Sequence, residues 1–187
     1  QDVHRFRAER SAIVTGIDTV LADDPRLDAR VDFDVVQPVK VVLDSQLRLP
    51  LTAKLLQSAV DVWIITCNDD ADKQQALRDV GCKVFTVEAD AGRVSLSQAF
   101  TVLATLHINT VWVEAGATLN GALLDSGLVD EWLIYMAPCV LGDQGRGLFH
   151  LPHIQHMTDK KSLHLKNLRQ IGPDIRMMFD SPTLIPE

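Results

Sequence analysis

Residues 110–124 read TVWVEAGATLNGALL, and this stretch decides the fold. The run VWV at 111–113 is apolar and rich in β-branched and aromatic residues, as is typical of a buried strand. Gly116 and Gly121 bracket a predicted turn, and ALL at 122–124 is helix-like. The pattern therefore predicts a strand, a glycine loop and a helix, in that order.

Such a loop can bind a phosphate group, because glycine permits close backbone approach and a helix N-terminus presents unpaired N–H groups. A P-loop has the same glycine spacing, but Ala122 and Leu123 stand where it needs Lys and Ser or Thr, which excludes an NTPase. A turn without any ligand accounts for the loop equally well. Glu114 favours a ligand site, since an acid after an apolar strand faces the crevice where open α/β sheets bind ligands.

The composition indicates a globular protein that binds neither nucleic acid nor membrane. The chain has 187 residues, of which 47% are hydrophobic and 23% charged, and its net charge of −7 disfavours a broad anion-binding surface. Its apolar runs all fall short of the roughly 20 residues of a membrane span. The three cysteines are widely spaced and form no CxxC motif, which predicts free thiols and a cytoplasmic location.

The remaining apolar runs alternate between strand-like and helix-like patterns. We predict strands at 11–15, 39–43, 62–66, 83–87, 110–114 and 131–137, with helices among them. Two further β-like runs, 163–170 and 175–179, flank Gly-Pro-Asp and predict a terminal hairpin. The order predicts an α/β fold, a three-layer sandwich with a mixed, mostly parallel sheet and a C-terminal β-hairpin.

Residues 15–30, TGIDTVLADDPRLDAR, place several polar groups beside one strand end. Thr19 on the opening helix turn, Asp23 at its end and Arg30 downstream form a set that can hold a phosphorylated sugar. The alternative interpretation is an Asp-Pro turn in which Asp24 caps backbone N–H groups.

Two other polar stretches receive structural interpretations. Ser45 follows a strand, where a hydroxyl can bond a cofactor, but the Asp-Ser pair around it also makes turns. The histidines of HLPHIQH at 150–156 are spaced by three, yet a proline interrupts any regular helix and no carboxylate completes a ligand set. We therefore predict no metal site.

Three segments together resemble one enzyme family. They are FRAERSAIVTGIDTVLADDPRLDAR (6–30), VKVVLDSQLRLP (39–50) and VWVEAGATLNGALLDSGLVDEWLIYMAPCVLG (111–142). In this order and spacing they closely resemble the reductase domain of the bifunctional riboflavin-biosynthesis deaminase-reductase. The ADDP-x-L-x-x-R and E-A-G-x-T-L-x-G motifs are the most diagnostic parts, and the resemblance covers nearly the whole chain.

The resemblance implies a dihydrofolate-reductase-like fold that uses NADPH in riboflavin biosynthesis. The implied reaction reduces 5-amino-6-(5-phosphoribosylamino)uracil to 5-amino-6-(5-phosphoribitylamino)uracil by hydride transfer to ribose C1′. The substrate is thus a small phosphoribosyl-pyrimidine. Because positioning of the two reactants supplies much of the rate in such a reaction, the residues that touch them matter most.

The resemblance also assigns residues to both ligands. Those that match cofactor positions are Thr19, Asp23, Ser45, Gly116, Ala117, Thr118, Leu119, Asn120, Gly121 and Ala122. Those that match substrate positions are Arg7, Leu27, Arg30 and Glu114, and the arginines suit a phosphate. Asp23 and Glu114 are the candidate catalytic groups, either as proton donor or to orient a hydroxyl, and the resemblance leaves open which does what.

Two departures from the family pattern set further expectations. Family members begin this domain with a strand upstream of Arg7 and carry a zinc deaminase domain before it, and this sequence contains neither. We therefore expect residues 1–187 to form a single reductase domain that lacks its first strand, with the deaminase domain on the same full-length chain. The resemblance also suggests a homodimer. Asp28 stands where members carry Thr, and its charge is expected to weaken phosphate binding slightly.

Two alternatives to this enzyme remain open. One is another reductase on the same fold, such as a pterin reductase. The other is a non-catalytic nucleotide-binding or scaffold domain that supports a deaminase partner. The presence of Glu114, Asp23, Arg7 and Arg30 together favours the enzyme.

Overall fold

A five-stranded parallel sheet forms the centre of the first of two units, Gln1–Gly116, in the computed structural model, which describes residues 1–181. In chain order the elements of this unit are α1 (Asp2–Ala8), β1 (Ala12–Gly16), α2 (Ile17–Asp23), β2 (Val39–Leu43), a 3₁₀ turn (Lys54–Leu56), β3 (Val62–Thr66), α3 (Ala71–Asp79), β4 (Lys83–Thr86), β5 (Ala89–Asp90), β6 (Arg93–Val94), α4 (Leu96–Thr105) and β7 (Val111–Val113).

The sheet has the strand order β4-β3-β2-β1-β7, and every neighbouring pair is parallel. All five residues of β3 are buried, which explains why its first four are apolar, because a parallel strand covered on both faces needs apolar side chains on both. The chain adds strands on one side of β1 from β2 to β4, and then returns to the other side with β7. The carboxyl ends of β1 and β7 therefore form a topological switch point, where sheets of this kind bind ligands.

The core of this unit lies between the sheet and its helices. Val42 and Ile64 of the central strands and Leu55 of the 3₁₀ turn are fully buried, and Val20 and Leu77 bring α2 and α3 into the same cluster. Each such side chain contributes about 1.5–3 kcal/mol to folding when buried. The longest helices of residues 1–181 have ten residues, and none is long and apolar enough to span a bilayer.

The second unit begins at Ala117 and contains a separate antiparallel sheet. Its elements are α5 (Ala117–Ser126), β8 (Glu131–Met136), a 3₁₀ turn (Met157–Asp159), β9 (His164–Ile171) and β10 (Asp174–Asp180). The strand order is β8-β10-β9. Gly172 connects β9 to β10 with φ of 61°, a left-handed conformation that glycine adopts without steric cost.

The predicted fold class is confirmed: the chain is α/β, five strands form a parallel sheet and the terminal hairpin is present. The structure differs from the prediction in how the strands are distributed. β8 pairs antiparallel with β10 over six residue pairs, so β8 and the hairpin form their own sheet and do not extend the parallel one. The apolar pattern of β8 shows that it is a strand, but a pattern along one chain segment does not show its partner.

Asp44 organises the loop that follows β2. Its side chain is fully buried and accepts backbone N–H bonds from Gln46 (3.3 Å), Arg48 (2.6 Å) and Leu49 (2.9 Å). Burial raises the pKa of Asp44, although these three N–H bonds oppose the shift. The carboxylate thus takes the place of a backbone turn, and Leu47 adopts a left-handed φ of 53° within it.

We expect Asp44→Ala to lower the free energy of unfolding by about 3 kcal/mol, because it leaves three backbone donors without their acceptor. Asp44→Asn keeps one carbonyl oxygen, so its free energy of unfolding should lie between those of Asp44→Ala and the wild type. Urea unfolding followed by circular dichroism measures both. A wild-type midpoint for Asp44→Ala would show that the carboxylate does not hold this loop.

Candidate active site

Glu114 directly follows β7, at the carboxyl end of the parallel sheet. Its backbone N–H donates to the Val14 carbonyl oxygen (2.9 Å), and its own carbonyl oxygen accepts from the buried Thr15 hydroxyl (2.7 Å). Both partners belong to β1, the neighbouring strand. These two bonds fix the main chain of Glu114 at the topological switch point of the sheet.

The carboxylate of Glu114 is held by three N–H donors. Arg7 donates from Nε to Oε1 (2.7 Å) and from Nη2 to Oε2 (2.6 Å), a bidentate pair in which the Arg7 side chain is only 12% exposed. Trp112 Nε1 also donates to Oε1 (2.7 Å). The Trp112 ring stacks on Phe6, with centroids 5.2 Å apart. Helix α1 and strand β7 are therefore joined around one carboxylate.

These contacts determine the protonation of Glu114. Burial by itself raises the pKa of this carboxyl group, but hydrogen bonds from Arg7 and Trp112 and the charge of Arg7 together lower its pKa below the ordinary value. Glu114 is thus ionised at neutral pH. An ionised carboxylate accepts hydrogen bonds, so this geometry suits the orientation of a hydroxyl better than the donation of a proton.

Arg7 also connects this cluster to the loop after α2. Its Nη1 donates to the backbone oxygen of Asp28 (2.8 Å), and the carboxylate of Asp28 lies 3.7 Å from Arg30 Nε. The Arg30 side chain is 66% exposed. Asp28, whose charge was expected to disfavour a phosphate, is therefore partly neutralised by a neighbouring guanidinium.

Leu27, a predicted substrate residue, has its side chain in the core, with 2% exposed. Its φ is 51°, a left-handed conformation that costs a β-carbon-bearing residue about 1 kcal/mol or more. Gln37 holds Ala29, two residues after Leu27, since its Oε1 accepts the Ala29 N–H (2.9 Å) and its Nε2 donates to the Ala29 oxygen (2.8 Å). The loop main chain is consequently fixed, and Leu27 anchors it from inside.

The predicted cofactor residues of the first unit lie at the ends of β1, α2 and β2. Thr19 is half-buried in α2 and Asp23, its last residue, is exposed. The Ser45 hydroxyl accepts the Val94 N–H (3.0 Å), and a hydroxyl still has its own hydrogen to donate. Asp24 Oδ1 accepts the backbone N–H of Lys54 (2.8 Å), so Asp24 does bond a backbone donor, but that donor lies 30 positions away and not in an Asp-Pro turn.

The prediction that Gly116 and Gly121 bracket a turn is wrong, because α5 begins at Ala117 and Gly121 lies inside the helix. The structure shows why residue 121 is glycine. A β-carbon there would lie 2.2 Å from the backbone oxygen of His150, whereas a β-carbon at Gly116 meets open space. Gly121 thus permits another chain segment to pack against the helix, and Gly116 alone belongs to the loop.

The revised boundary keeps an anion-binding feature. The first N–H groups of a helix have no acceptor within it, and α5 begins at Ala117. Its first turn contains no acidic residue, and Thr118 is exposed. Asn120 Nδ2 donates to the Leu148 oxygen (3.2 Å), and Ala122 is exposed on the next turn. Leu119 is half-buried.

Sequence reasoning missed the residues that position Glu114. Trp112 could have been found, since residues two apart in a strand share a face and Trp112 therefore projects beside Glu114. Thr15 bonds a backbone oxygen 99 positions away, and local sequence carries no signal of that contact. His4 lies one turn before Arg7 in α1, and local sequence carries no signal of its contact with Arg30.

The histidines at 150–156 have structural contacts. His153 Nε2 lies 3.4 Å from Asp125 Oδ1, and the backbone N–H of His150 donates to the Ala117 oxygen (2.9 Å). Within residues 1–181, three or more His, Cys, Asp or Glu side chains nowhere form a group that could hold a metal ion. The segment packs along α5.

Comparison with known proteins identifies the family. The family described as RibD C-terminal domain matches residues 1–177. The riboflavin biosynthesis protein RibD of Haemophilus influenzae is 38% identical, over 95% of this chain and 50% of that protein. The 5-amino-6-(5-phosphoribosylamino)uracil reductase of Buchnera aphidicola is 32% identical, over 96% of this chain and 90% of that protein.

A solved structure agrees with these sequence relationships. Acinetobacter baumannii RibD, form 2, superposes with a TM-score of 0.85 at 35% identity, over 96% of this chain and 49% of that one. The chain spans about half the length of the RibD proteins it matches. The resemblance and the fold inferred from the sequence motifs are both confirmed, and the chain belongs to the RibD C-terminal domain family.

Proposed function

We propose that this chain reduces 5-amino-6-(5-phosphoribosylamino)uracil to 5-amino-6-(5-phosphoribitylamino)uracil, with NADPH as the reductant. The observation that carries the proposal is the Arg7–Glu114–Trp112 cluster at the switch point of the sheet. The reductase of Buchnera aphidicola, which this chain covers over 90% of its length, bears the name of this activity and supports the same reaction.

The residues present fit a phosphorylated dinucleotide. In the second unit, the N-terminus of α5 and the exposed Thr118 hydroxyl suit its phosphates. In the first unit, the hydroxyls of Thr19 and Ser45 suit hydroxyl or phosphate oxygens. When bound, NADPH supplies a hydride for ribose C1′. The net charge of −7 makes local backbone donors more important, because the protein as a whole repels anions.

Three residues of the chain have separate roles toward the substrate. In the ring-opened imine, C1′ accepts the hydride and the nitrogen takes a proton. Glu114, held ionised by Arg7, orients a ribose hydroxyl, and Arg30 binds the phosphate from its exposed position. Asp23, exposed at the end of α2, remains our candidate for the proton donor.

The assembly of the whole protein is part of the same proposal. Residues 1–187 act as one reductase domain, and a deaminase domain shares the full-length chain, as the doubled length of the RibD relatives supports. We also propose a cytoplasmic homodimer. The three thiols, Cys67, Cys82 and Cys139, are unpaired, which fits a reducing compartment.

Two optical assays test the proposal. NADPH emission should change on binding, and NADPH absorbance should then fall on addition of 5-amino-6-(5-phosphoribosylamino)uracil. Glu114→Gln should lower turnover and leave NADPH affinity nearly unchanged. Dihydrofolate separates a pterin reductase, since it should not be reduced. Unchanged emission would indicate a scaffold domain and would contradict the proposed activity.

A further inference from the structure

The imidazole of His4 meets Arg30 at both of its nitrogens. The backbone N–H of Arg30 points at Nδ1 (3.2 Å), and the guanidinium Nη2 lies 3.1 Å from Nε2. Both Arg30 groups are hydrogen-bond donors and neither can accept. Two hydrogen-bond donors of Arg30 therefore point at the ring of His4.

These contacts cannot both be hydrogen bonds. A neutral imidazole has one acceptor nitrogen and one N–H, and an imidazolium has two N–H groups. In every protonation state at ordinary pH, at least one contact of His4 with Arg30 places a donor against a donor. An acceptor that approaches both groups relieves such a contact.

The rigid loop identifies which contact is the true bond. Gln37 clamps Ala29 at both its N–H and its oxygen, so the adjacent backbone N–H of Arg30 cannot turn away. Nδ1 of His4 must then be the acceptor, and the proton resides on Nε2. The conflict consequently falls on Nε2–H and the Arg30 guanidinium, whose side chain is 66% exposed and can adjust to a ligand.

We propose that His4 Nε2–H and the Arg30 guanidinium together bind the phosphate of the substrate, so that His4 is a further substrate-binding residue. The inference rests on the proposed function and deepens it. A phosphate monoester has several acceptor oxygens and can receive both donors at once. Arg7 is less suited to the same role, because its Nε, Nη1 and Nη2 already donate to Glu114 and Asp28.

The charges around His4 make this binding sensitive to protonation. Burial lowers the pKa of His4, and Arg7, Arg30 and, more weakly, the amino group of Gln1 lower it further, while the Asp28 backbone oxygen opposes them. The charge of a protonated His4 in turn lowers the pKa of Glu114. A bound phosphate adds negative charge beside the ring and raises the pKa of His4. Phosphate binding thus favours uptake of a proton at Nδ1 of His4, where that proton competes with the backbone N–H of Arg30.

Histidine NMR with ribose 5-phosphate tests the inference on the wild-type chain. Nitrogen shifts should show the Nε2–H tautomer of His4, and ribose 5-phosphate should raise the pKa of His4, whereas phosphate-free ribose should not. His107 is exposed in the same unit and is the internal control, so its titration should not move. An Nδ1–H tautomer, or a pKa of His4 that ribose 5-phosphate does not change, overturns the inference.

Two variants test the energetic contribution by calorimetry. His4→Ala should weaken ribose 5-phosphate binding about tenfold near pH 6, the loss of one charge-assisted hydrogen bond. His4→Gln keeps an N–H donor but cannot titrate, so its binding should follow only the ionisation of the ligand, whose second pKa is about 6. His107→Asn should behave as wild type, because Asn tolerates the left-handed φ of 64° at that position.

The outcomes separate this inference from the proposed reaction. Equal ribose 5-phosphate affinity in His4→Ala and wild type overturns the role of His4, while reductase activity can still be present. Failure of ribose 5-phosphate to bind the wild type also overturns it. Loss of NADPH oxidation with intact ribose 5-phosphate binding overturns the proposed reaction and leaves the phosphate contact standing.

Discussion

Replacement of Arg7 by methionine is expected to lower kcat/KM about 100-fold, the largest functional effect we predict for a single side chain. Arg7 supplies two of the three donors to the Glu114 carboxylate and also ties α1 to the Asp28 backbone. Without it, Glu114 remains partly buried with Trp112 as its donor, and burial then raises the pKa of Glu114.

Steady-state kinetics as a function of pH measures this effect. In Arg7→Met the acid limb that reports Glu114 should move to higher pH, because the interactions that lower its pKa are gone. Arg7→Lys keeps the charge and loses the bidentate geometry, so its kcat/KM should lie between those of Arg7→Met and the wild type. Arg5→Met is the matched control, since Arg5 is exposed on the same helix. Wild-type kcat/KM in Arg7→Met would contradict the role assigned to this ion pair.

Gly121→Ala is expected to lower the free energy of unfolding by about 3 kcal/mol, at the upper end of typical overpacking costs. Its β-carbon would lie 2.2 Å from the His150 oxygen, and the obstacle is backbone, which cannot rotate out of the way. Either the segment around His150 must move off α5 or the helix must distort. Both outcomes break the bond from the His150 N–H to the Ala117 oxygen.

Chemical denaturation of Gly121→Ala beside Gly116→Ala isolates the packing effect. The two substitutions are chemically identical, but a β-carbon at residue 116 meets no atom within 4 Å. Gly116→Ala should therefore change stability by less than about 1 kcal/mol. Similar unfolding midpoints for the two variants would show that close contact with His150 does not explain the glycine at 121.

Much of the architecture could be predicted from the sequence because its signals are local. The apolar runs at β2 and β3 and the Gly-Pro-Asp turn before β10 depend on a few neighbouring residues, and each element appears in the structure. The pairing of β8 with β10 is different. It joins segments about 40 positions apart, and no periodicity within either strand specifies that contact.

Gly121 shows how the same sequence feature can have two physical causes. A glycine after a strand can form a turn, or it can allow another main-chain segment to pack closely against it. The sequence shows a glycine in both cases. The backbone oxygen of His150 decides between them, since it occupies the space that a β-carbon at residue 121 would need, and His150 lies 29 positions downstream. The error concerned the position of the helix start, which lies at Ala117.

The candidate site was partly predictable for a similar reason. Glu114 and Arg7 were assigned from family motifs, and the structure brings them together in a bidentate pair. The proton-donor role that the sequence left open for Glu114 is disfavoured by three donors to its carboxylate, an arrangement that depends on α1 and β7 meeting in space. The motif thus identifies Glu114, and the contacts made in the fold determine its protonation state.

The transfer of a hydride from NADPH to ribose C1′ is the central claim, and isotope transfer tests it most directly. The protein would be given 5-amino-6-(5-phosphoribosylamino)uracil and, in separate reactions, each of the two forms of NADPH that carry deuterium at nicotinamide C4. With one form the ribitylamino product should contain a single deuterium at C1′, and with the other it should contain none. A product that lacks deuterium with both forms, or NADPH that is not consumed, would contradict the account.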